Sequence, residues 1–408
     1  MKPGVDVISR AFPPPRVPPT DTGVAFIIGA TAAGVTPAPP AYQLVHSLTE
    51  YTAVFGTRSG VGIATYDAVD VFFREGGSQA YISRTNPGTL VAAEAADEPP
   101  KKSGRGGNSV EPTVVDPTIQ AALDQLVKLL GPGQVLIADP TLAAVQANQS
   151  AVLAHCAANN RVGLHTCADG TSASVIAAGT ALQSDANARY GALFAPSAIV
   201  PGVTAGTTRT VPYSAVQAGI LARNDVIYSQ NQPAAGILGE SVFVLDVNGH
   251  YTDQNYHDLN EASVTAGRLL WDGVRTYGLR SCVPYATAPD WANFGWVRLN
   301  MAIVAQADVI GEQYIFRCID GRGHTLGDFA ADLNAMLAQF WNDDALFGAT
   351  PEDAFNVNVG PSVNTPTTLA NGELHAVLSV RMSPAPEWVV IEIVKVAPNV
   401  PLPAAVAA

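Results

Sequence analysis

The sequence predicts a mixed α/β fold that becomes α+β towards its end, and three observations carry that prediction. Apolar runs closed by glycine, such as 24–29, read as strands buried on both faces. Over 117–194 strand-like runs alternate with helix-length segments, the pattern of a parallel or mixed sheet covered on both sides. Beyond residue 263 a hairpin signal and long amphipathic helices replace that alternation.

Element by element, the chain opens with an alternating stretch, Val5, Asp6, Val7 and Ile8, followed by Phe12-Pro13-Pro14-Pro15-Arg16-Val17-Pro18-Pro19. Proline removes a backbone donor and favours an extended form, so 1–22 is expected to be an arm. Strands follow at 24–29 and 42–45. Ser47 opens a helix, with Glu50 placed for a capping box and Gly56 closing it. A second helix, 66–73, buries Val69, Phe72 and Phe73 and stops at Gly76-Gly77, and 80–84 is a strand. Residues 23–90 are thus one compact unit.

Proline, glycine and lysine dominate the next stretch, and 91–116 reads as a linker. Residues 117–244 are expected to form an inserted α/β domain: helices at 117–130, 142–158 and 172–182, and strands at 134–138, 161–166 and 190–194. The third part, 245–384, carries strands at 263–271 and 274–279 around Asp272-Gly273, the best hairpin signal in the chain. A helix at 297–311 leads to a strand at 313–319. The helix at 326–340 places Phe329, Leu333, Met336, Leu337 and Phe340 on one face. Strands at 356–359 and 373–381 complete this part. The last segment, 385–408, contains Trp388, Val389, Val390, Ile391, Ile393 and Val394, isolated by Pro384 and Pro386 before and Pro398, Pro401 and Pro403 after. A strand so isolated must find a sheet edge, and a neighbouring subunit can supply one.

Composition narrows the function classes. Of 408 residues 48% are apolar and 14% charged, few for a chain that keeps its whole surface wet, so part of that surface is expected to lie in contacts. A net charge of −13 argues against a nucleic-acid partner, and Lys101, Lys102 and Arg105 sit in a solvated loop. The first residues lead into a proline arm instead of an apolar signal region, and no run is long enough to insert in a membrane. Cys156, Cys167, Cys282 and Cys318 lie in apolar contexts, as reduced buried thiols do. A soluble protein made without export is expected.

Three constellations have the atoms for chemistry. Gly321-Arg322-Gly323-His324-Thr325-Leu326-Gly327 lies between a predicted strand and helix, where backbone N–H groups bind phosphate, but its spacing departs from G-x-G-x-x-G. His155, Cys156, His165 and Cys167 include zinc-binding types without a C-x-x-C knuckle, so core positions are favoured. Asp246, Asp253, Asp258 and Glu261, near His250 and His257, fall in a segment that reads as solvated turns. No catalytic residue, cofactor site or metal site is assigned.

Several ordered motifs carry a resemblance. Gly348-Ala349-Thr350-Pro351-Glu352-Asp353-Ala354-Phe355 follows a helix and precedes a strand; Asn364-Thr365-Pro366, Asn371-Gly372-Glu373-Leu374 and Pro384-Ala385-Pro386-Glu387-Trp388 come after. Upstream stand Val274-Arg275-Thr276-Tyr277-Gly278-Leu279-Arg280 and, at the front, Pro3-Gly4-Val5, Phe55-Gly56 and Phe72-Phe73-Arg74-Glu75-Gly76-Gly77. In this order they resemble the contractile tail sheath proteins of phages and related injection systems. Tyr277 stands where tryptophan is common in that family, and 86–116 differs from the usual segment.

The resemblance implies a sheath core domain built from the N- and C-terminal parts, with the inserted domain and terminal arms added. It implies stacked hexameric rings around a tail tube protein, with baseplate and tail terminator proteins at the ends. Arm strands pass between subunits (Val5 to Ile8 at the front, Trp388 to Val394 at the back), and contraction drives the tube through a cell envelope. It places the protein in the virion, after assembly in the host cytoplasm. By the same analogy Asp328, Asp332 and Asn334 mark a tube-facing helix, though its periodic apolar face favours plain core. Two other classes remain open: an enzyme housed in the α/β domain, and a binding module that decorates a surface.

Overall fold

Five consecutive buried residues, Ala25–Gly29, form β1, an inner strand of the large sheet. The computed structural model describes residues 20–85, 119–138 and 148–385. The predicted arm strands, the linker 91–116 and the front of the predicted helix 142–158 lie outside the described residues.

After β1 come β2 (Tyr42–Val45), α1 (Leu48–Phe55), α2 (Ile63–Arg74) and β3 (Ala80–Arg84). The Ser47 hydroxyl accepts the Glu50 N–H at 3.1 Å, as expected of a cap. The Glu50 carboxylate reaches one residue further back than a capping box requires, accepting from the His46 N–H at 2.8 Å. Next are α3 (Ile119–Asp124), β4 (Gln134–Ala138), α4 (Gln149–Asn159), β5 (Val162–Thr166), α5 (Ser172–Leu182) and β6 (Gly191–Ala195). The helix expected over 117–130 ends at Asp124. The Leu126 carbonyl, which a longer helix would use, accepts instead from the buried Arg161 guanidinium, which also bonds the Val127 carbonyl and stacks 3.8 Å from the Phe26 ring centre.

A three-stranded sheet follows from β7 (Ala198–Pro201), β8 (Thr208–Val211) and β9 (Asp246–Val247), with α6 (Tyr213–Ile227) between β8 and β9. Then come α7 (Asp253–Glu261), β10 (Val264–Leu270), β11 (Gly273–Tyr277), α8 (Phe294–Glu312), α9 (His324–Asn342), β12 (Phe355–Asn358) and β13 (Val377–Val380).

The large sheet has eight strands in the order β11-β10-β6-β5-β4-β1-β3-β2. Its edge pairs, β2–β3 and β10–β11, are antiparallel and the rest are parallel. Strands β4, β5 and β6 of residues 117–244, expected as an inserted domain, do not form a sheet by themselves, whereas β7 and β8 pair in the small sheet. β4 pairs with β1 and β6 pairs with β10, so the three stand between strands of the first and third parts. The reason is burial: β4, β5 and β6 are covered on both faces, and parallel strands so covered join whichever strand continues the layer.

Helices α2 and α6 cross on one face of this sheet, and Gly219 allows the close approach. A Cβ there would stand 2.7 Å from the Phe72 carbonyl oxygen. Helix α6 has no counterpart in the sequence reading. It is buried almost all round, so it lacks the polar stripe that gives a surface helix its period. Glu75, fully buried at the end of α2, accepts N–H bonds from Val242 (3.1 Å) and Phe243 (3.0 Å), tying that end to the loop before β9.

A second apolar cluster lies beyond the sheet. Leu299 and Ile303 of α8 meet Phe329, Leu333, Met336, Leu337 and Phe340 of α9, the face that the sequence predicts, with β12 and β13 packed alongside. Residues 253–261, expected as solvated turns, are helical because Thr252 and Asn255 form a reciprocal capping box. Residues 313–319, expected as a strand, are irregular: Phe316 adopts φ +61, while Tyr314 turns inward against Phe329 with ring centres 4.8 Å apart.

Candidate assembly surface

Strands β12 and β13 form a separate antiparallel pair, with Phe355 opposite Val380 and Val357 opposite Leu378. Those four side chains line one face, against the second cluster, while Asn356, Ser379 and Val377 face away. Among the described residues each of the two strands has only the other as partner, so both outer edges offer unpaired backbone groups. A two-stranded sheet is marginal by itself and gains stability from further strands. The connection between them is pinned by Asn364. Its amide donates to the carbonyls of Val359 (2.8 Å) and His375 (2.7 Å), and its oxygen accepts from the His375 N–H (2.8 Å).

Asn364→Ala removes all three bonds at a buried site, a loss of about 2–4 kcal/mol of local stability. Amide exchange in β12 and β13 is expected to accelerate while the large sheet keeps its protection; unchanged exchange in the pair would count against this role for Asn364.

Asp328, Asp332 and Asn334 are exposed on α9, as a contact face requires. Two of them already have partners outside their own helix. Arg317 donates to Asp328 at 2.6 Å and the Tyr314 hydroxyl donates to Asp332 at 2.6 Å, so the irregular segment 313–319 is strapped across this side of α9. Asn334 donates to the Ala330 carbonyl of its own helix. The predicted inter-subunit strand residues Val5, Asp6, Val7, Ile8, Trp388, Val389, Val390, Ile391, Ile393 and Val394 lie outside the described residues.

The three chemical constellations take plain structural roles. At the start of α9 the Asp320 carboxylate accepts from the N–H groups of Thr325 (2.8 Å) and Arg322 (3.1 Å). These bonds hold its pKa down at about 2. A chain carboxylate thus fills the place a phosphate would take. Cys156 packs with Phe26 and Ile28, whereas Cys167 packs with Leu153 and Val175 in a different cluster. His155 turns to Arg161 at 2.9 Å, so the four zinc-type residues do not converge. Among the described residues no group of three or more metal-type side chains gathers at one point. His250 and His257 make only exposed contacts, with Asp246 at 3.4 Å and Glu261 at 3.5 Å.

Sequence reasoning missed a cleft of about 1120 Å³ beside α8, with Leu129, Ile315 and Phe316 exposed at its walls. The one signal was the alternation of 313–319, which read as a strand.

No family model matches the chain, and no curated protein matches it. Solved structures do. A chain of the anti-feeding prophage baseplate is 18% identical with a TM-score of 0.70, covering 97% of this chain and 99% of that one. A chain from the contracted sheath complex of PVC, an extracellular contractile injection system, is 15% identical with a TM-score of 0.66 and 97% coverage of both. The sheath tail protein from Desulfitobacterium hafniense is 11% identical with a TM-score of 0.55, covering 87% of this chain and 93% of that one. Because these likenesses span nearly the whole of each chain, the chain has the fold of the contractile sheath proteins.

Proposed function

We propose that this protein is the structural subunit of a contractile sheath. Copies polymerise as stacked hexameric rings around a tail tube, held at the ends by baseplate and terminator proteins, and contraction drives the tube through a target envelope. Val5 to Ile8 and Trp388 to Val394 serve as strands donated to neighbours, and the β12–β13 pair is the acceptor. Asp328, Asp332 and Asn334 lie on the helix turned to the tube. The subunit works by packing and strand addition, not by catalysis.

The observation that carries this reading is the end-to-end likeness to sheath structures. The open edges of β12 and β13 supply a physical reason for strand exchange, since donated strands satisfy backbone groups that an edge leaves unpaired. Arms joined in this way would keep rings connected while their packing changes, and interfaces with two arrangements store energy in small amounts per subunit. A virion tail, assembled in the host cytoplasm, is one setting. An injection system is the other, and the higher TM-scores with the anti-feeding prophage and PVC chains favour it. No helix among the described residues is long and apolar enough to cross a membrane.

Electron microscopy of the purified chain tests the proposal. Sheath-like filaments are expected from the full chain with its tube partner, and their loss on deleting residues 1–19 or 386–408. Normal sheaths from both truncated chains would sink the strand-exchange mechanism.

A further inference from the structure

We propose that the proline-rich root of the N-terminal arm, residues 12–19, seats in the chain's own cleft beside α8. That segment lies outside the described residues, but the point where it must begin does not. The Thr22 hydroxyl donates to Asp225 at 2.7 Å, and the same carboxylate holds Arg298 of α8. Ala305, where α8 first lines the cleft, is seven residues further along, about 10 Å away. Gln134 donates its N–H to the Val24 carbonyl at 2.8 Å, and Gly131 and Pro132 just before it form the cleft wall. The chain therefore enters β1 past the rim of the cleft. Eight residues of extended polyproline-type chain span about 25 Å, enough to run along it.

The cleft has the chemistry that proline-rich segments use, an aromatic-lined groove with a carboxylate nearby. Phe316 is fully exposed (102%) and holds φ +61, a conformation that costs a bulky residue and that no contact among the described residues offsets. Leu129, 85% exposed, and Ile315, 58% exposed, add apolar wall. Packing prolines on this surface would cover all three. Asp308 is paired with Lys128 at 2.9 Å, but Glu312 on the same wall has no ion-pair partner among the described residues. Arg16, at the middle of the proline segment, is the cation suited to it. Seated in this way, the arm would leave the subunit in a fixed direction, with its strand residues held ready at a set distance.

Paired spin labels on the full-length chain test this without requiring polymerisation, so the outcome is independent of the sheath reading. Cys318 is exposed and stands between Arg317 and Ile319 of the cleft wall, while Cys156, Cys167 and Cys282 are buried. Labels on Cys318 and on Val17→Cys are expected to give a short, narrow distance distribution, unchanged by excess unlabelled protein. Phe316→Ser and Glu312→Lys should each shift it to longer, broader distances. A broad distribution in the otherwise unaltered chain overturns the proposal, as does a narrow one insensitive to both substitutions. So does a narrow one that unlabelled protein abolishes, which would place the arm in a neighbouring copy.

Discussion

Arg298→Met is expected to lower the free energy of unfolding by about 3–5 kcal/mol, because it leaves a buried carboxylate without its counter-charge. Arg298 and Asp225 side chains are 1% and 4% exposed, and the guanidinium meets both carboxylate oxygens, one at 2.9 Å. Thr22 still donates to Asp225 in the variant, which softens the loss without removing it. Taking away the remaining charge as well, in Arg298→Met with Asp225→Leu, should recover much of the deficit. Two apolar side chains replace two ions whose desolvation the pair had to overcome. The measurement is the chemical denaturation midpoint of both variants. A loss under about 1 kcal/mol in the single variant would mean that water reaches this site. The pair joins Thr22 before β1, α6 and α8, so the single variant should also loosen the chain at Thr22.

The sequence made some parts of this molecule legible and hid others for identifiable reasons. Strands β1 and β4 announce themselves as apolar runs beside glycine, and α9 by five apolar residues at helical spacing. Local chemistry was enough there. Which strands pair is not local: nothing within 117–244 says that β4 lies against β1 instead of forming a sheet with only β5 and β6. Helix α6 was hidden by its own burial. Segment 313–319 misled because alternation predicts a strand only where an edge is available; here Tyr314 finds Phe329 and Asp332 instead. The candidate assembly surface divides the same way. The proposed terminal strands are conspicuous in the sequence through their prolines, whereas the β12–β13 pair and the Asn364 pin depend on contacts the sequence does not spell out.

Acid is expected to weaken the fold, and His165 is the residue to which the effect should trace. It lies on the fully buried strand β5, and its Nε2 has no hydrogen-bond partner among the described residues. The ring fits because Gly163 and Gly191 flank it; a Cβ at either glycine would come within 2.9 Å of Nε2. Burial pushes its pKa down from 6.5 to about 4, since a charged ring there would lose its hydration. The unfolded chain takes up a proton near pH 6.5 that the native state refuses until about pH 4. Stability from the neutral ring is therefore fully present above pH 6.5 and drains away as pH falls towards 4. A shift of this size corresponds to about 3 kcal/mol across that window. His155 is pushed in the same direction, by burial first and then by the Arg161 charge beside it, and adds a smaller share because it is only partly enclosed. Denaturation midpoints at pH 7.5, 5.5 and 4.5 would be compared for the parent and His165→Gln, which cannot titrate. The parent should lose stability steeply over that range and the variant much less; parallel curves would show that carboxylates elsewhere govern the acid response.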